Sequence, residues 1–243
     1  MSILSPLPRT EDAVELIDGP VPFADLSECL ADLARINMLF GGTWVTLTHV
    51  KQLLARLPIG QAVTVVDVGA GAGDIPRALV RWARRTGRPI RVFALDRDFA
   101  SLRVAGRFLG SYPEITLVQG DALALPVRAG SVDVTISALT LHHLNREEAV
   151  RYLRELDTAA RLGIVVNDLV RSRVAYVLVW LTTRVLARSR IARHDGPLSV
   201  LRAYTPDEAR QLCEQAGLCN VEVMHYVTLL RQCAIRRGPP SSG

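Results

Sequence analysis

The spacing of apolar positions changes character near residue 60. Before it two helical faces are legible: Leu26, Leu30, Leu33 and Ile36 recur three or four residues apart ahead of "FGG", and Val45 to Leu57 carries a second apolar series. Residues 1 to 24, broken by prolines and acids, predict a partly ordered arm. From Val63 onward, short β-branched or apolar runs alternate with helical patterns. Val63–Val68, Ile90–Leu95, Ile115–Val118, Val132–Ile136 and Leu162–Val166 predict strands. Between the first two, Asp74 predicts a helix cap, Pro76 suits a first turn, Leu79 and Trp82 mark the buried face, and Gly87 predicts the stop. Phe99, Leu102 and Phe108 repeat at helical spacing as far as Gly110, and Asn145 with Glu148 resembles a capping box ahead of Val150, Leu153 and Leu156.

The rhythm fails over residues 168–204 and resumes at "YTPDEARQLCEQAGL", where Thr205, Pro206 and Glu208 predict a helix start. Two closing runs, Val221–Tyr226 and Thr228–Ile235, have almost nothing between them and predict an antiparallel hairpin. Strands alternating with helices build a parallel sheet covered on both faces. The expected fold is therefore α/β and Rossmann-like: a seven-stranded, mostly parallel sheet with a C-terminal antiparallel hairpin and helices on both faces. Residues 1–60 would form an arm and helical cap, residues 61–243 the core, and residues 168–204 a lid inserted after the fifth strand.

The stretch "VTVVDVGAGAGDIPRAL" carries the first chemistry. A strand, a glycine turn and a helix start in that order form a ligand site at the carboxyl edge of an α/β sheet. A nicotinamide dinucleotide calls for G-x-G-x-x-G, whereas the glycines here are Gly69, Gly71 and Gly73, followed by Asp74. No Gly-Lys-Ser/Thr follows, which excludes a phosphate-binding P-loop. Asp67 and Asp74 flank the turn, a charge pattern that repels pyrophosphate and suits a ligand bearing ammonium or sulfonium.

"VVDVGAGAGD" resembles the first motif of the class I S-adenosylmethionine-dependent methyltransferases, and three further stretches match in order. "VFALDRD" resembles the second motif, "VQGDALALP" the third and "SVDVTISALTLHHL" the fourth, so the resemblance covers residues 60 to 235. It implies S-adenosyl-L-methionine as cofactor and the quinone-biosynthesis-like small-molecule enzymes as the nearest group. It further implies that Asp67, Gly69, Ala70, Gly71 and Gly73 receive the methionine part, that Asp96, beside Arg97, holds the ribose hydroxyls, and that Asp121 and Ala122 meet the adenine. Ser137, at the end of strand 4, completes the implied cofactor set. Gly73 has a competing role in close helix packing, and Asp133 is expected to pin a turn.

Methyl transfer to a hydroxyl needs alignment and a base. His142 and His143 follow strand 4 on the active edge; Asp168, after strand 5, and His194, in the lid, are the second candidates. The resemblance implies a small phenolic, quinone-like or polyketide-derived acceptor and O-methylation, with C-methylation of a ring as the alternative. Ser137 stands where a catechol-type metal site requires an acid, so no metal is expected. His194 and Asp195 in "ARHDGPLS" read equally as a base with its orienting acid or as a polar turn around Gly196 and Pro197. His49 and His225 are expected to be structural, while Asn37 and Phe40 in "ARINMLFGG" belong to a cap near the cofactor.

Leu169 to His194 contains no acid but six arginines, which bracket an apolar run holding Tyr176 and Trp180. Packing of that helix into the core is the expectation; the competing reading is a lid that touches anionic membrane or admits a lipophilic acceptor. The net charge of +5 permits nucleic acid, but aromatics are only 5% and the tools of base chemistry are missing, so no nucleic acid partner is expected. Cys29, Cys213, Cys219 and Cys233 show no metal-binding spacing. With no signal-peptide layout at the N-terminus and no apolar run long enough to span a bilayer, a cytoplasmic protein is expected.

Overall fold

The computed structural model describes residues 7–11 and 13–238; residues 1–6 and 12 of the expected arm lie outside the described residues. Seven strands, β1 (Val63–Val68), β2 (Ile90–Asp96), β3 (Ile115–Gln119), β4 (Val132–Ala138), β5 (Ala160–Leu169), β6 (Val221–Tyr226) and β7 (Arg231–Arg237), form one sheet in the order β3-β2-β1-β4-β5-β7-β6. The first five are parallel, and β7 runs antiparallel to both β5 and β6. Around it lie α1 (Phe23–Leu39), α2 (Gly42–Leu54), α3 (Asp74–Thr86), α4 (Phe99–Leu109), α5 (Arg146–Ala159), α6 (Arg173–Leu186), α7 (Arg190–Arg202) and α8 (Pro206–Gln215). Among the described residues no helix is long and apolar enough to cross a membrane.

Strand alternation sorts the core into two layers. On β1, Val63 and Val65 join Leu54, Leu79 and Leu109 from α2, α3 and α4, while Val66 and Val68 join Leu153, Leu156 and Leu212 from α5 and α8. Each such buried aliphatic side chain contributes about 1.5–3 kcal/mol relative to exposure. α1 lies outside these layers, with Leu26 and Leu30 packing on Ala72 and Val104, and Cys29 against Ile191 and Ala192 of α7.

Four local expectations change. Asp74 does not cap α3: Gly73 stands at the cap with φ 74°, and the Asp74 carboxylate instead accepts from Asn37 Nδ2 at 2.9 Å. β5 runs three residues past Val166 because its polar end is satisfied: Asn167 Nδ2 donates to Gly42 O and Thr46 Oγ1, both at 2.9 Å. The polar turn expected around Gly196 and Pro197 is the middle of α7. There a Cβ on residue 196 would lie 2.7 Å from Thr183 Cγ2, so glycine is what lets α6 and α7 approach. Finally, α6 is not packed into the core, since Ala175 and Thr183 are its buried residues.

Strand order reverses between β1 and β4, so the loops leaving them diverge and open a crevice at the carboxyl edge.

Candidate functional site

The turn after β1 is shaped by tight approach. A Cβ on Gly69 would lie 2.2 Å from the Thr140 hydroxyl, and one on Gly73 2.5 Å from Leu109 of α4; both residues have positive φ. Gly73 therefore serves helix packing. Gly71 faces the crevice and donates its N–H to Asp96 Oδ2 at 2.9 Å, tying the end of β2 to the turn.

The crevice encloses a cavity of about 980 Å³, walled by the glycine turn, the ends of β2 and β4, α1, α7 and the segment around residues 15–21. Its floor is acidic. Burial raises the Asp67 carboxyl well above its ordinary range, and Asp74 and Asp96 push it further. Asp74 and Asp96 are themselves raised, chiefly by burial. Asp121 and Ala122 line the same space, with Asp121 Oδ1 accepting from Leu123 N at 2.8 Å. Opposite them Arg231 projects from β7: it is buried, Nε and Nη1 have no hydrogen-bond partner, and burial lowers its pKa to about 10. Clustered carboxylates beside orphaned guanidinium donors fit a ligand that brings both a positive and a negative group, as an S-adenosylated amino acid does.

The second half of the cavity is built on the exit from β4. Leu139 takes a left-handed φ of 57°, after which the short turn Leu141–His143 carries both histidines. Asp168, at the end of β5, accepts from His142 Nδ1 at 2.7 Å and from His142 N at 3.0 Å. Burial would raise the Asp168 carboxyl, but the His142 ring and the backbone N–H groups of Leu169 and His142 outweigh it and hold it low. An ionised carboxylate only accepts, so Nδ1 carries a proton, and in the neutral ring the remaining lone pair is on Nε2. That nitrogen faces Glu15 Oε1 at 3.6 Å. Glu15 is 3% exposed, its Oε1 lacks a hydrogen-bond partner, and burial, partly offset by His143, raises its pKa to about 7. His143 stacks on His142 with ring centroids 4.3 Å apart and meets Asp18 Oδ2 at 3.0 Å.

Glu15 and Asp18 belong to a strap held by α7. Asp195 accepts from Leu16 N at 2.9 Å and Ile17 N at 3.0 Å, and Arg202 binds the carbonyls of Ala13 and His143. Arg97 Nη2 reaches across to Asp18 Oδ1 at 3.0 Å.

The expected residues are therefore distributed unevenly. Asp67, Gly69, Ala70, Gly71, Asp96, Arg97, Asp121, Ala122, His142 and His143 all line the cavity, joined by Asn37 and Phe40 from α1 and its end. Asp168 stands behind His142. Ser137 is turned away: β4 alternation points it at α5, where it accepts from Tyr152 Oη at 2.5 Å with no exposure. His194 points to solvent, its side chain 53% exposed, because the α7 face that meets the strap is occupied by Asp195. His49 is buried against Tyr226, and His225 is exposed on β6. Glu15 and Arg231 escaped sequence reasoning. Glu15 is one acid among several in the arm and Arg231 one charge in an apolar stretch, weak signals without knowledge of what lies opposite.

Fold and cavity together define an α/β enzyme that holds an adenosine-bearing, dipolar cofactor at the switch point of its sheet, beside an oriented histidine. A family model described as a methyltransferase domain matches residues 65–163. A 2-phytyl-1,4-naphthoquinone methyltransferase from Thermosynechococcus vestitus is 30% identical over 194 residues, covering 75% of this chain and 84% of that relative. A trans-aconitate 2-methyltransferase from an Azoarcus species is 34% identical over 109 residues, 43% of this chain and 40% of the relative. Among solved structures, a SAM-dependent methyltransferase from Aquifex aeolicus superposes with a TM-score of 0.56 at 19% identity, covering 83% of this chain and 96% of that one. The CMeT domain of the citrinin polyketide synthase gives 0.60 at 14% identity, covering 78% and 51%. The chain belongs to the class I S-adenosylmethionine-dependent methyltransferases, within the small-molecule group, and its cofactor is S-adenosyl-L-methionine.

Proposed function

We propose that the protein methylates a ring hydroxyl of a small, lipophilic phenolic or quinol-like acceptor of the kind polyketide metabolism supplies, with His142 as the base. The observation that carries this reading is the buried Asp168–His142 pair on the cavity wall, which engages Nδ1 and leaves Nε2 directed at Glu15 rather than at Asp168. The bound cofactor supplies an electrophilic methyl group on a sulfonium. Asp67 would face its ammonium group, Arg231 would take its carboxylate, Asp96 would accept from the ribose hydroxyls, and Asp121 and Ala122 would border the adenine. His142 Nε2 removes the hydroxyl proton as the new bond forms, and the resulting imidazolium lies between the carboxyls of Asp168 and Glu15. Such a base contributes about 10²- to 10⁴-fold to the rate.

The relative named for a naphthoquinone favours a second reading, methylation at ring carbon. The same proton removal serves it, because a phenolate is nucleophilic at the adjacent carbon as well as at oxygen. Four free cysteines, three of them buried, support a reducing, cytoplasmic setting.

The experiment is incubation with methyl-labelled S-adenosylmethionine and a panel of phenols, hydroquinones and long-chain resorcinols, followed by NMR of the product. A new methoxy signal supports O-methylation, a ring methyl supports the second reading, and labelling undiminished by His142→Gln removes histidine from the chemistry.

A further inference from the structure

α6 presents its apolar stripe to solvent. Val174, Val177, Leu178, Leu181 and Val185 recur at helical spacing and are 43–70% exposed, and Trp180 beside them is 41% exposed. A helix of a folded domain ordinarily turns such a stripe inward, and large exposed apolar patches mark interaction sites. The opposite face of the same helix is in use: Val179, Thr182 and Thr183 line the cavity, and Ala175 and Thr183 are buried. α6 is thus a wall one helix thick between the acceptor space and the surroundings, supported from the side by α7.

The exposed unpaired charge at the end of the stripe is basic, since Asp32 nearby is buried and already bound by Arg35 and two backbone N–H groups. Arg184 and Arg188 are exposed at its C-terminal end without a carboxylate partner among the described residues, and Arg184 lies over the Trp180 ring at 5.0 Å. Arg193 is exposed one turn into α7, donating to the Ala187 carbonyl at 2.9 Å. Arg35 of α1 donates to Leu186 O and ties α1 to the end of α6. The stretch Leu169–His194 contains no acid, so a two-fold pairing of α6 with α6 would offer these arginines no carboxylate. An anionic bilayer meets both features, accepting the apolar side chains among its acyl chains and the guanidinium groups among its headgroups.

We propose that the outer face of α6 docks on an anionic membrane surface and that the acceptor enters the cavity from there. The route of entry rests on the lipophilic acceptor proposed above; the docking itself does not.

The test is co-sedimentation of the full chain with vesicles of phosphatidylcholine alone and of phosphatidylcholine with phosphatidylserine, alongside sedimentation velocity without lipid. The wild type should bind the mixed vesicles, bind phosphatidylcholine alone far more weakly, and dissociate as salt is raised. Val177→Asp/Leu181→Asp should weaken binding at least about tenfold, and Arg184→Gln/Arg188→Gln about fivefold per charge. All these positions are exposed, so the variants should retain calorimetric binding of S-adenosylmethionine, which checks their fold. Wild type indifferent to both vesicles would overturn the proposal, as would self-association abolished by the aspartate pair, which would assign the face to a second copy. Vesicle binding without methylation of any ring acceptor would leave the docking intact and remove the proposed function. Methylation of water-soluble phenols without vesicle binding would do the reverse.

Discussion

Replacing Glu15 by Gln should make the protein more stable and less active, with a pH signature that separates the two effects. In the folded chain the Glu15 carboxyl holds its proton up to about pH 7, against an ordinary 4.5, because it is buried. Folded protein therefore binds more protons than unfolded protein between those values, and stability declines as pH rises through that window. The full displacement corresponds to about 3 kcal/mol, at about 1.4 kcal/mol for each pH unit. Glutamine keeps the size and polarity of the side chain but does not titrate. The variant should match the wild type near pH 4.5 and exceed it by as much as about 3 kcal/mol above pH 7, with about 2.5 kcal/mol of the gain accruing between pH 5 and 8. Urea denaturation of both proteins across that range, monitored by circular dichroism, measures the difference directly. A stability difference that stays flat with pH would refute the buried, proton-retaining carboxyl. Turnover should fall at the same time, since the group 3.6 Å from His142 Nε2 is lost. A carboxyl kept at a cost to stability is the pattern expected of a working site.

Asp168→Asn should lower kcat by about 10²- to 10⁴-fold by disturbing the tautomer and charge of His142, while the cofactor Kd, which Asp168 reaches only through its charge on Arg231, should change far less; parallel kinetics and calorimetry check this. Arg231→Met should weaken S-adenosylmethionine binding by about 10- to 100-fold, the worth of a hydrogen bond to a charged group, and leave binding of decarboxylated S-adenosylmethionine unchanged. Equal losses for both ligands would mean that Arg231 does not meet the carboxylate. Asp67, Asp74 and Asp96 all hold protons more tightly than usual, so an arriving cation should expel part of that proton population. Calorimetric titrations at pH 6 in buffers of different ionisation enthalpy should report proton release, and a buffer-independent heat would contradict it.

The parts of the molecule that sequence made legible are those governed by neighbours in the chain. β1 and β6 coincide with their apolar runs, and the capping boxes at Asn145/Glu148 and Thr205/Glu208 both form. Asp67, Gly69, Ala70, Gly71, Asp96, Arg97, Asp121 and Ala122 come to the cavity for the same reason, a turn and strand ends placing their own residues, whereas Gly73 and Ser137 do not line it. What could not be read depends on what lies opposite. β7 begins at Arg231 rather than near residue 228 because Val227–Leu229 winds into a short turn and Leu230 goes left-handed. Gly196 and Pro197 read as a break, yet they sit inside a helix pressed against α6. Glu15 meets histidines more than a hundred residues away, and no local pattern announces that meeting. The outward stripe of α6 has the periodicity of a core helix, and periodicity does not say which side the core is on.

The placement of β7 also bears on how the enzyme is made. This strand, the last of the sheet in chain order, lies between β5 and β6 and brings Arg231 into the cavity. On a ribosome, the glycine turn, the acids and both histidines emerge long before it, yet β5 lacks its outer neighbour and the cavity lacks Arg231 until residue 237 is free. Early strands can pair in turn as they appear, but closure of the sheet waits for the last of them. A nascent chain stalled before β7 would thus carry most of the recognisable motifs with an open sheet edge and an incomplete ligand site, so the capacity to bind cofactor waits for the last strand of the sheet.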